Sequence, residues 1–171
     1  SLSAVSERLE YVEADLREPG IGEGFDAALN LFSSVGYGSE EDDLAIIGNL
    51  HDSLRPGGTL FIETVHRDSI VSTQARNETT GVRGENGITL RQNNRFDPIE
   101  GVLHCSWTWN SPTLAGSKRS VIRMYSVTEL VALVRRAGFG EIECREGSTN
   151  RPFGDTSINE RLGLLCTRSV K

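Results

Sequence analysis

The sequence predicts an α/β fold, in which a mostly parallel sheet carries an added antiparallel β insert. Three observations lead to this prediction. Strand-like segments flank a helix in the first part of the chain, as in the strand–helix–strand units of parallel sheets. The hydrophobic period then changes to strand alternation over about residues 86–125. A further helix and two strands follow, and we expect them to close the sheet with an antiparallel C-terminal hairpin.

Three segments in the first part of the chain have strand character. Residues 11–14 are a short strand candidate that leads into an acidic turn at Asp15. Residues 26–32 (DAALNLF) are almost continuously apolar, which is typical of a strand buried on both faces. Residues 59–65 (TLFIETV) are rich in β-branched and aromatic side chains, so they predict the next strand.

Two helices have start and stop signals. Ser39 is a plausible N-cap, apolar residues follow at helical spacing, and residues 56–58 (PGG) end the segment. Ser126 and Glu129 form a capping-box pattern before the second apolar stripe, and Gly138 is the expected stop.

The insert is predicted from alternation and turn chemistry. Residues 88–96 and 102–110 read as strands joined by the turn sequence DPIEG, and residues 118–125 read as a third strand. Residues 69–85 are polar and predict a surface loop with a short helix. After the second helix, residues 141–145 and 162–167 are the last two strands.

Composition limits the possible functions. The chain has 171 residues, which predicts a single domain over 1–171. A net charge of −6 and a pI near 5.1 argue against a nucleic-acid partner. No apolar run approaches the roughly 20 residues of a membrane helix, so no membrane contact is expected. Three cysteines without CxxC spacing and three scattered histidines predict a cytoplasmic protein without a metal site.

Several short motifs occur in a distinctive order. They are residues 12–15 (VEAD), 30–37 (NLFSSVGY), 54–58 (LRPGG), 63–68 (ETVHRD), 123–126 (RMYS) and 137–139 (AGF). This order resembles that of class I, Rossmann-like S-adenosylmethionine-dependent methyltransferases, and the NLFSSVGY segment resembles the small-molecule type. The resemblance implies a partial Rossmann-like methyltransferase sheet and methyl transfer to a small-molecule acceptor.

The resemblance also implies positions for the cofactor, S-adenosyl-L-methionine. Asp15 stands where an acid accepts a hydrogen bond from the adenine amine, and the amide of Leu16 would serve a ring nitrogen. Asn30 and Leu31 close the strand where a carbonyl meets the methionine ammonium group. The alternative for Asp15 is a turn or helix-cap residue.

Two aromatic residues follow the same strand. Phe32 and Tyr37 are candidates for cation–π attraction to the sulfonium centre of the cofactor. Core packing is the alternative that we favour for Phe32. Tyr37 lies between two glycines, which favours a position lining the site.

Substrate contacts are expected from the insert and from loops that follow strands. The candidates are Arg67, Trp107, Tyr125 and Arg151, and His66 is a candidate general base. A structural role is the alternative for His66, and at least one of the two insert tryptophans is expected in the core. Transfer to a good nucleophile needs mainly proximity and alignment, so a dedicated catalytic residue is not required.

The glycine-rich strand–turn–helix that opens the family's fold has no counterpart in the sequence. Residues 20–24 (GIGEG) have the letters of that motif but precede a strand, not a helix, so we read them as a flexible loop. We therefore expect the C-terminal portion of a methyltransferase, with cofactor binding weakened or lost. One edge of strand 26–32 would then need cover, from residues 9–15 or from a second copy in a homodimer.

Three hypotheses stay open from the sequence. The chain is a methyltransferase portion, a non-catalytic remnant that acts as a scaffold or dimerisation protein, or an unrelated Rossmann-like binding domain. The loop at residues 30–37 followed by the insert favours the first over the third. The missing glycine-rich motif favours the second over a working enzyme.

Overall fold

The computed structural model describes residues 9–73, 80–83 and 87–170, and these form two four-stranded sheets and three α-helices. The strands are β1 (Phe25–Asn30), β2 (Leu54–Thr64), β3 (Thr80–Arg83), β4 (Thr89–Asp97), β5 (Val102–Asn110), β6 (Ala115–Arg123), β7 (Glu141–Glu146) and β8 (Leu162–Thr167). The helices are α1 (Glu40–Ser53), α2 (Arg67–Thr73) and α3 (Val127–Arg136).

The first sheet mixes parallel and antiparallel pairing in the order β1-β2-β8-β7. β1 runs parallel to β2, with Ala28 opposite Leu60. β8 is antiparallel to both β2 and β7 and pairs Leu60 with Cys166. The predicted combination of a parallel pair with an antiparallel C-terminal hairpin is therefore confirmed.

The main core lies between this sheet and the helices α1 and α3. Leu60 and Ile62 on β2 are fully buried and share a cluster with Ile47 of α1 and Leu133 of α3. Because side chains alternate along a strand, Phe61, which lies between Leu60 and Ile62, points to the opposite face. The helices therefore cover one face of the first sheet.

The predicted capping box at Ser126 forms, and Ser39, predicted as an N-cap, forms a capping box as well. Ser39 accepts a hydrogen bond from the amide of Asp42, and Ser126 accepts one from the amide of Glu129. Each acidic side chain in turn accepts a bond from the backbone amide of the cap residue. These bonds satisfy amides that the first turn of a helix leaves unpaired. Within the described part of the chain, no helix has both the length and the apolar character needed to cross a bilayer.

The second sheet is antiparallel throughout, in the order β3-β4-β5-β6. Leu103 and Cys105 on β5 are buried with Met124, and Val65 and Ile70 pack against them. The insert is therefore attached to the end of β2. β3 lies in a segment that we predicted as a loop, because its polar sequence lacks the alternation that identified the other three strands.

Two expectations about the first strands are wrong for the described chain. Residues 9–15 are irregular and exposed, because no neighbouring strand pairs with them. β1 is exposed along most of its length, with Leu29 67% exposed, although its apolar sequence predicted burial on both faces. Apolarity showed that β1 should be covered, but among the described residues only β2 pairs with it.

The position of Leu60 in the core predicts a large loss of stability on truncation. Leu60→Ala removes side-chain volume from a closed cluster, and we expect it to lower the free energy of unfolding by about 2–5 kcal/mol. Urea unfolding followed by circular dichroism measures this change. Leu114→Ala is the matched control, because Leu114 is exposed and its truncation should cost less than about 0.5 kcal/mol. Equal effects of the two variants would contradict the assigned core.

Candidate functional site

The candidate site lies where the parallel strands β1 and β2 end. In open α/β sheets, ligands bind outside the carboxyl ends of the strands. Here the β1–α1 loop, defined as residues 31–38, meets residues 63–66 at the end of β2 and residues 123–126, which run from the end of β6 to the start of α3. Three separate segments of the chain therefore converge at this edge.

A buried carboxylate fixes the start of the β1–α1 loop. Glu63 is 8% exposed, and its Oε2 atom accepts a hydrogen bond of 2.9 Å from the backbone amide of Phe32. Arg161, which precedes β8, donates to both carboxylate oxygens through its forked guanidinium group. The same guanidinium donates to Ser33 Oγ at 3.0 Å. The loop is thus joined to β2 and to the segment before β8.

A second buried carboxylate fixes the other end of the loop. Asp43 on α1 accepts from the amide of Gly36 at 3.0 Å and from the hydroxyl of Tyr125 at 2.8 Å. The carbonyl of Gly36 accepts from the amide of Arg123 at 2.7 Å. Gly36 has a φ of 102°, and a Cβ here would lie 2.4 Å from the Arg123 carbonyl oxygen, so only glycine fits.

Tyr125 has a structural role in this arrangement, and its predicted contact with a substrate stays a prediction. Its side chain is buried, and the guanidinium of Arg123 lies 5.0 Å from its ring centroid. Burial and the bond to Asp43 raise the pKa of Tyr125 above its usual range. The hydroxyl is therefore a neutral donor that ties α1 to the end of the insert.

The loop exposes two aromatic side chains. Phe32 is 85% exposed and Tyr37 is 59% exposed, so neither packs in the core, and the packing alternative that we favoured for Phe32 is wrong. Leu31 is half-buried between Phe32 and the buried Asn30. The Oδ1 atom of Asn30 has no hydrogen-bond partner among the described residues. Such an atom needs a donor, because an unpaired buried acceptor costs free energy.

The interior behind the loop has no room for a small molecule. The cavity lined by Ser33, Thr64 and Tyr125 has a volume of about 10 Å³. That is the space of a single water molecule. A ligand at this edge would therefore lie on the outer side of the loop, where Phe32 and Tyr37 are exposed.

Asp15 and Leu16 lie next to α1. Arg17 donates to both carboxylate oxygens of Asp15, and these hydrogen bonds lower the pKa of Asp15 to about 2. Asn49 on α1 donates to the carbonyl of Leu16 at 2.9 Å, and Arg17 approaches Asp42 at 3.6 Å. Asp15 is therefore a charged, exposed acceptor whose segment is attached to the helix that follows the loop.

His66 is buried, with 1% of its surface exposed. Its ring packs edge-on against Phe153, with 5.3 Å between the ring centroids. Neither ring nitrogen has a hydrogen-bond partner among the described residues. Burial lowers the pKa of His66, an effect that the carboxylate of Asp68 opposes in part. In this conformation His66 packs as a neutral aromatic ring and does not reach the surface.

The other predicted substrate contacts are partly engaged by carboxylates. Arg67 lies 3.1 Å from Glu129, and Arg151 lies 2.9 Å from Glu146. Both guanidinium groups keep exposed surface, whereas Trp107 is half-buried against the insert cluster. The structure thus brings Arg67 to the end of β2 and leaves Arg151 on the loop before β8.

Sequence reasoning missed the residues that hold the β1–α1 loop, namely Glu63, Asp43 and Arg161. For Glu63 a signal existed, since a lone carboxylate ends the apolar strand TLFIET. Asp43 stands among four consecutive acidic residues at the start of α1, so nothing in the sequence distinguishes it. Across the described ranges, the structure holds no group of three or more His, Cys, Asp and Glu side chains that would bind a metal.

No protein-family model matches the sequence, and no curated protein sequence is significantly similar to it. The fold, however, is similar to solved structures. A methyltransferase from Clostridium acetobutylicum, described as S-adenosylmethionine-dependent, has a TM-score of 0.78 at 12% identity over 99% of this chain and 69% of that protein. The CcbJ methyltransferase from Streptomyces caelestis has a TM-score of 0.74 at 15% identity over 94% of this chain and 63% of that protein.

A third similar structure is the sugar N-methyltransferase KedS8 from Streptoalloteichus sp., with a TM-score of 0.64 at 18% identity. That match covers 98% of this chain and 67% of KedS8. This chain therefore spans about two thirds of the length of these proteins. The predicted fold is confirmed: the chain has a partial Rossmann-like sheet with an antiparallel insert and is similar in fold to S-adenosylmethionine-dependent methyltransferases.

Burial of neutral His66 predicts that the protein loses stability in mild acid. The unfolded chain takes up a proton at its ordinary pKa of about 6.5, whereas the folded chain resists protonation. Stability should therefore be full above about pH 6.5 and fall below it, by at most about 1.4 kcal/mol per pH unit. Urea unfolding at about pH 7.5 and pH 5.5 measures the change. His66→Phe is the comparison, because phenylalanine has no group that takes up a proton at this position. An equal pH dependence in both proteins would contradict the assignment.

Proposed function

We propose that this chain acts as an S-adenosylmethionine-dependent methyltransferase on a small-molecule acceptor. One observation carries the proposal. At the carboxyl end of a parallel strand, the buried amide oxygen of Asn30 has no donor within the described part of the chain, and the exposed Phe32 follows two residues later. An acceptor without a donor and a free aromatic ring are the groups that an ammonium and a sulfonium require.

The residues at this edge fit the cofactor chemically. We propose that Asn30 and Leu31 meet its methionine part, and that Phe32 and Tyr37 lie near the sulfonium. Asp15 is ionised and exposed, so it would accept a hydrogen bond from the adenine amine. The amide of Leu16 would donate to the adenine ring. When bound, the cofactor supplies an electrophilic methyl group.

For the acceptor, we propose a small molecule with a sugar-like part, which is the substrate class named for the similar protein KedS8. The guanidinium groups of Arg67 and Arg151 would bind its oxygens, and Trp107 would pack against an apolar ring face. These residues would hold the acceptor in line with the methyl group, which is the main requirement of such a transfer. A base role for His66 stays a prediction, and it would need the Phe153 segment to move.

Calorimetric titration with S-adenosylhomocysteine and S-adenosylmethionine tests this function. We expect both compounds to bind the wild-type chain. Phe32→Ala should lower the affinity for S-adenosylmethionine by roughly twofold to fivefold, because an exposed cation–π contact is lost. Ile99→Ala is the matched control, since Ile99 is an exposed apolar residue in the β4–β5 turn. The demethylated product lacks the positive charge and should be affected less.

Two results would contradict the proposal. An absence of heat at millimolar concentrations of either compound would favour the alternative of a non-catalytic scaffold. An equal loss of affinity in Phe32→Ala and Ile99→Ala would contradict a specific contact between Phe32 and the cofactor.

We also propose that the free side of β1 associates with a second copy of the chain. β1 pairs only with β2 among the described residues, and its other edge carries backbone groups ready for strand pairing. Leu29 and Phe25 on this strand are exposed, so pairing would also remove apolar surface from water. A homodimer would satisfy both the backbone groups and these side chains.

The association predicts a measurable effect of charge on β1. We expect a dimer mass in sedimentation equilibrium, and Leu29→Lys should shift the mass toward the monomer, because it places a charge in the apolar contact. Val121→Lys is the control, since Val121 is similarly exposed but lies on the insert. A monomeric wild-type chain, or dissociation by both variants, would contradict this contact.

A further inference from the structure

The β1–α1 loop begins with an unusual backbone conformation. Phe32 and Ser33 are consecutive residues with φ values of 60° and 59°. This left-handed region is unfavourable for residues that carry a Cβ atom. A chain keeps such a conformation only where surrounding contacts fix it, and such contacts are often found at ligand sites.

Backbone contacts to the end of β2 account for part of the restraint. The amide of Phe32 donates to the Glu63 carboxylate at 2.9 Å, and the amide of Ser33 donates to the Glu63 carbonyl at 3.1 Å. The amide of Val65 donates to Ser33 Oγ at 3.1 Å. Glu63 thus binds both strained residues, one through its side chain and one through its backbone.

Arg161 supplies the charge that the Glu63 carboxylate requires. Glu63 is almost fully buried, so its ionised form needs a partner that compensates for lost hydration. Arg161 meets it with a two-pronged contact and reaches Ser33 Oγ with the same guanidinium. A residue located before β8 therefore contacts both the buried carboxylate and the loop after β1.

We infer that the Glu63–Arg161 ion pair positions the cofactor-facing aromatic residue of this protein. The inference rests on the function proposed above. Phe32 is the residue whose amide the pair holds, and its ring is 85% exposed instead of packed. The contacts of the ion pair thus hold the Phe32 ring exposed to solvent at the candidate site. Glu63 and Arg161 are positioning residues, since they act through Phe32 and Ser33.

Arg161→Gln tests the pair, because Arg161 is partly exposed and belongs to neither hydrophobic cluster. We expect amide hydrogen exchange at Phe32 and Ser33 to rise roughly tenfold or more, while exchange at Leu164 in β8 stays unchanged. Affinity for S-adenosylhomocysteine should fall roughly tenfold, since the loop must be ordered on binding. Arg161→Lys should recover part of the loop protection and part of the affinity, because lysine keeps the positive charge but cannot make the bidentate contact of a guanidinium group.

The control is Glu143→Gln, which breaks the exposed Glu143–Arg145 pair on β7. It should change neither loop exchange nor affinity. Glu63→Gln is a second variant of similar shape, and it should free the loop as Arg161→Gln does. Unchanged exchange at Phe32 and Ser33 in both variants overturns the inference, as does unchanged affinity once the loop is free.

The same experiment separates this inference from the proposed function. If the wild-type chain binds no S-adenosylhomocysteine while Arg161→Gln still frees the loop, the function is overturned and the restraint by the ion pair is supported. If the wild-type chain binds and the variant binds equally well, the function stands and the positioning role is overturned.

Discussion

Two buried carboxylates restrain the segment around which the candidate site is built. Glu63 and Asp43 lie at opposite ends of the β1–α1 loop, and each accepts a hydrogen bond from a loop amide. Burying an ionised carboxylate is unfavourable unless donors surround it, and these donors come from distant parts of the chain. Arg161 serves one carboxylate and Tyr125 serves the other. The loop therefore depends on both sheets being assembled.

This arrangement couples the two predicted halves of the site. The proposed cofactor side is formed by the loop itself, whereas the proposed acceptor side is formed by the insert and the end of β2. Gly36 contacts the backbone of Arg123, the last residue of the final insert strand β6. Hydrogen bonds from rigid elements reach both ends of the loop, which is how a site can be preorganised before a ligand arrives.

Local patterns predicted the elements of this fold well. Alternation identified β5 to the residue, and side-chain chemistry identified both helix starts at Ser39 and Ser126. Each of these signals involves residues that are close together in the chain, so a single sequence is enough to recognise it. Burial of β1 was predicted wrongly, because an apolar sequence favours burial of a strand but does not show which neighbouring strands cover it.

The site itself was only partly predictable for the same reason. Phe32 and Tyr37 were identified from the loop in which they lie, but their exposure depends on how that loop bends. The partners Glu63 and Arg161 are about a hundred residues apart in sequence, and β2–β8 pairing brings them together. The bond from Tyr125 to Asp43 was not predicted, because it joins residues far apart in sequence and has no local signature.

The separation between β2 and β8 also bears on the order in which the chain folds. The capping boxes at Ser39 and Ser126 close over four residues, so the first turns of both helices can form early, whereas Leu60 and Cys166 must meet across most of the chain. Arg161 reaches its carboxylate only after this late closure. During synthesis on the ribosome, the candidate site would thus stay incomplete until β8 has emerged.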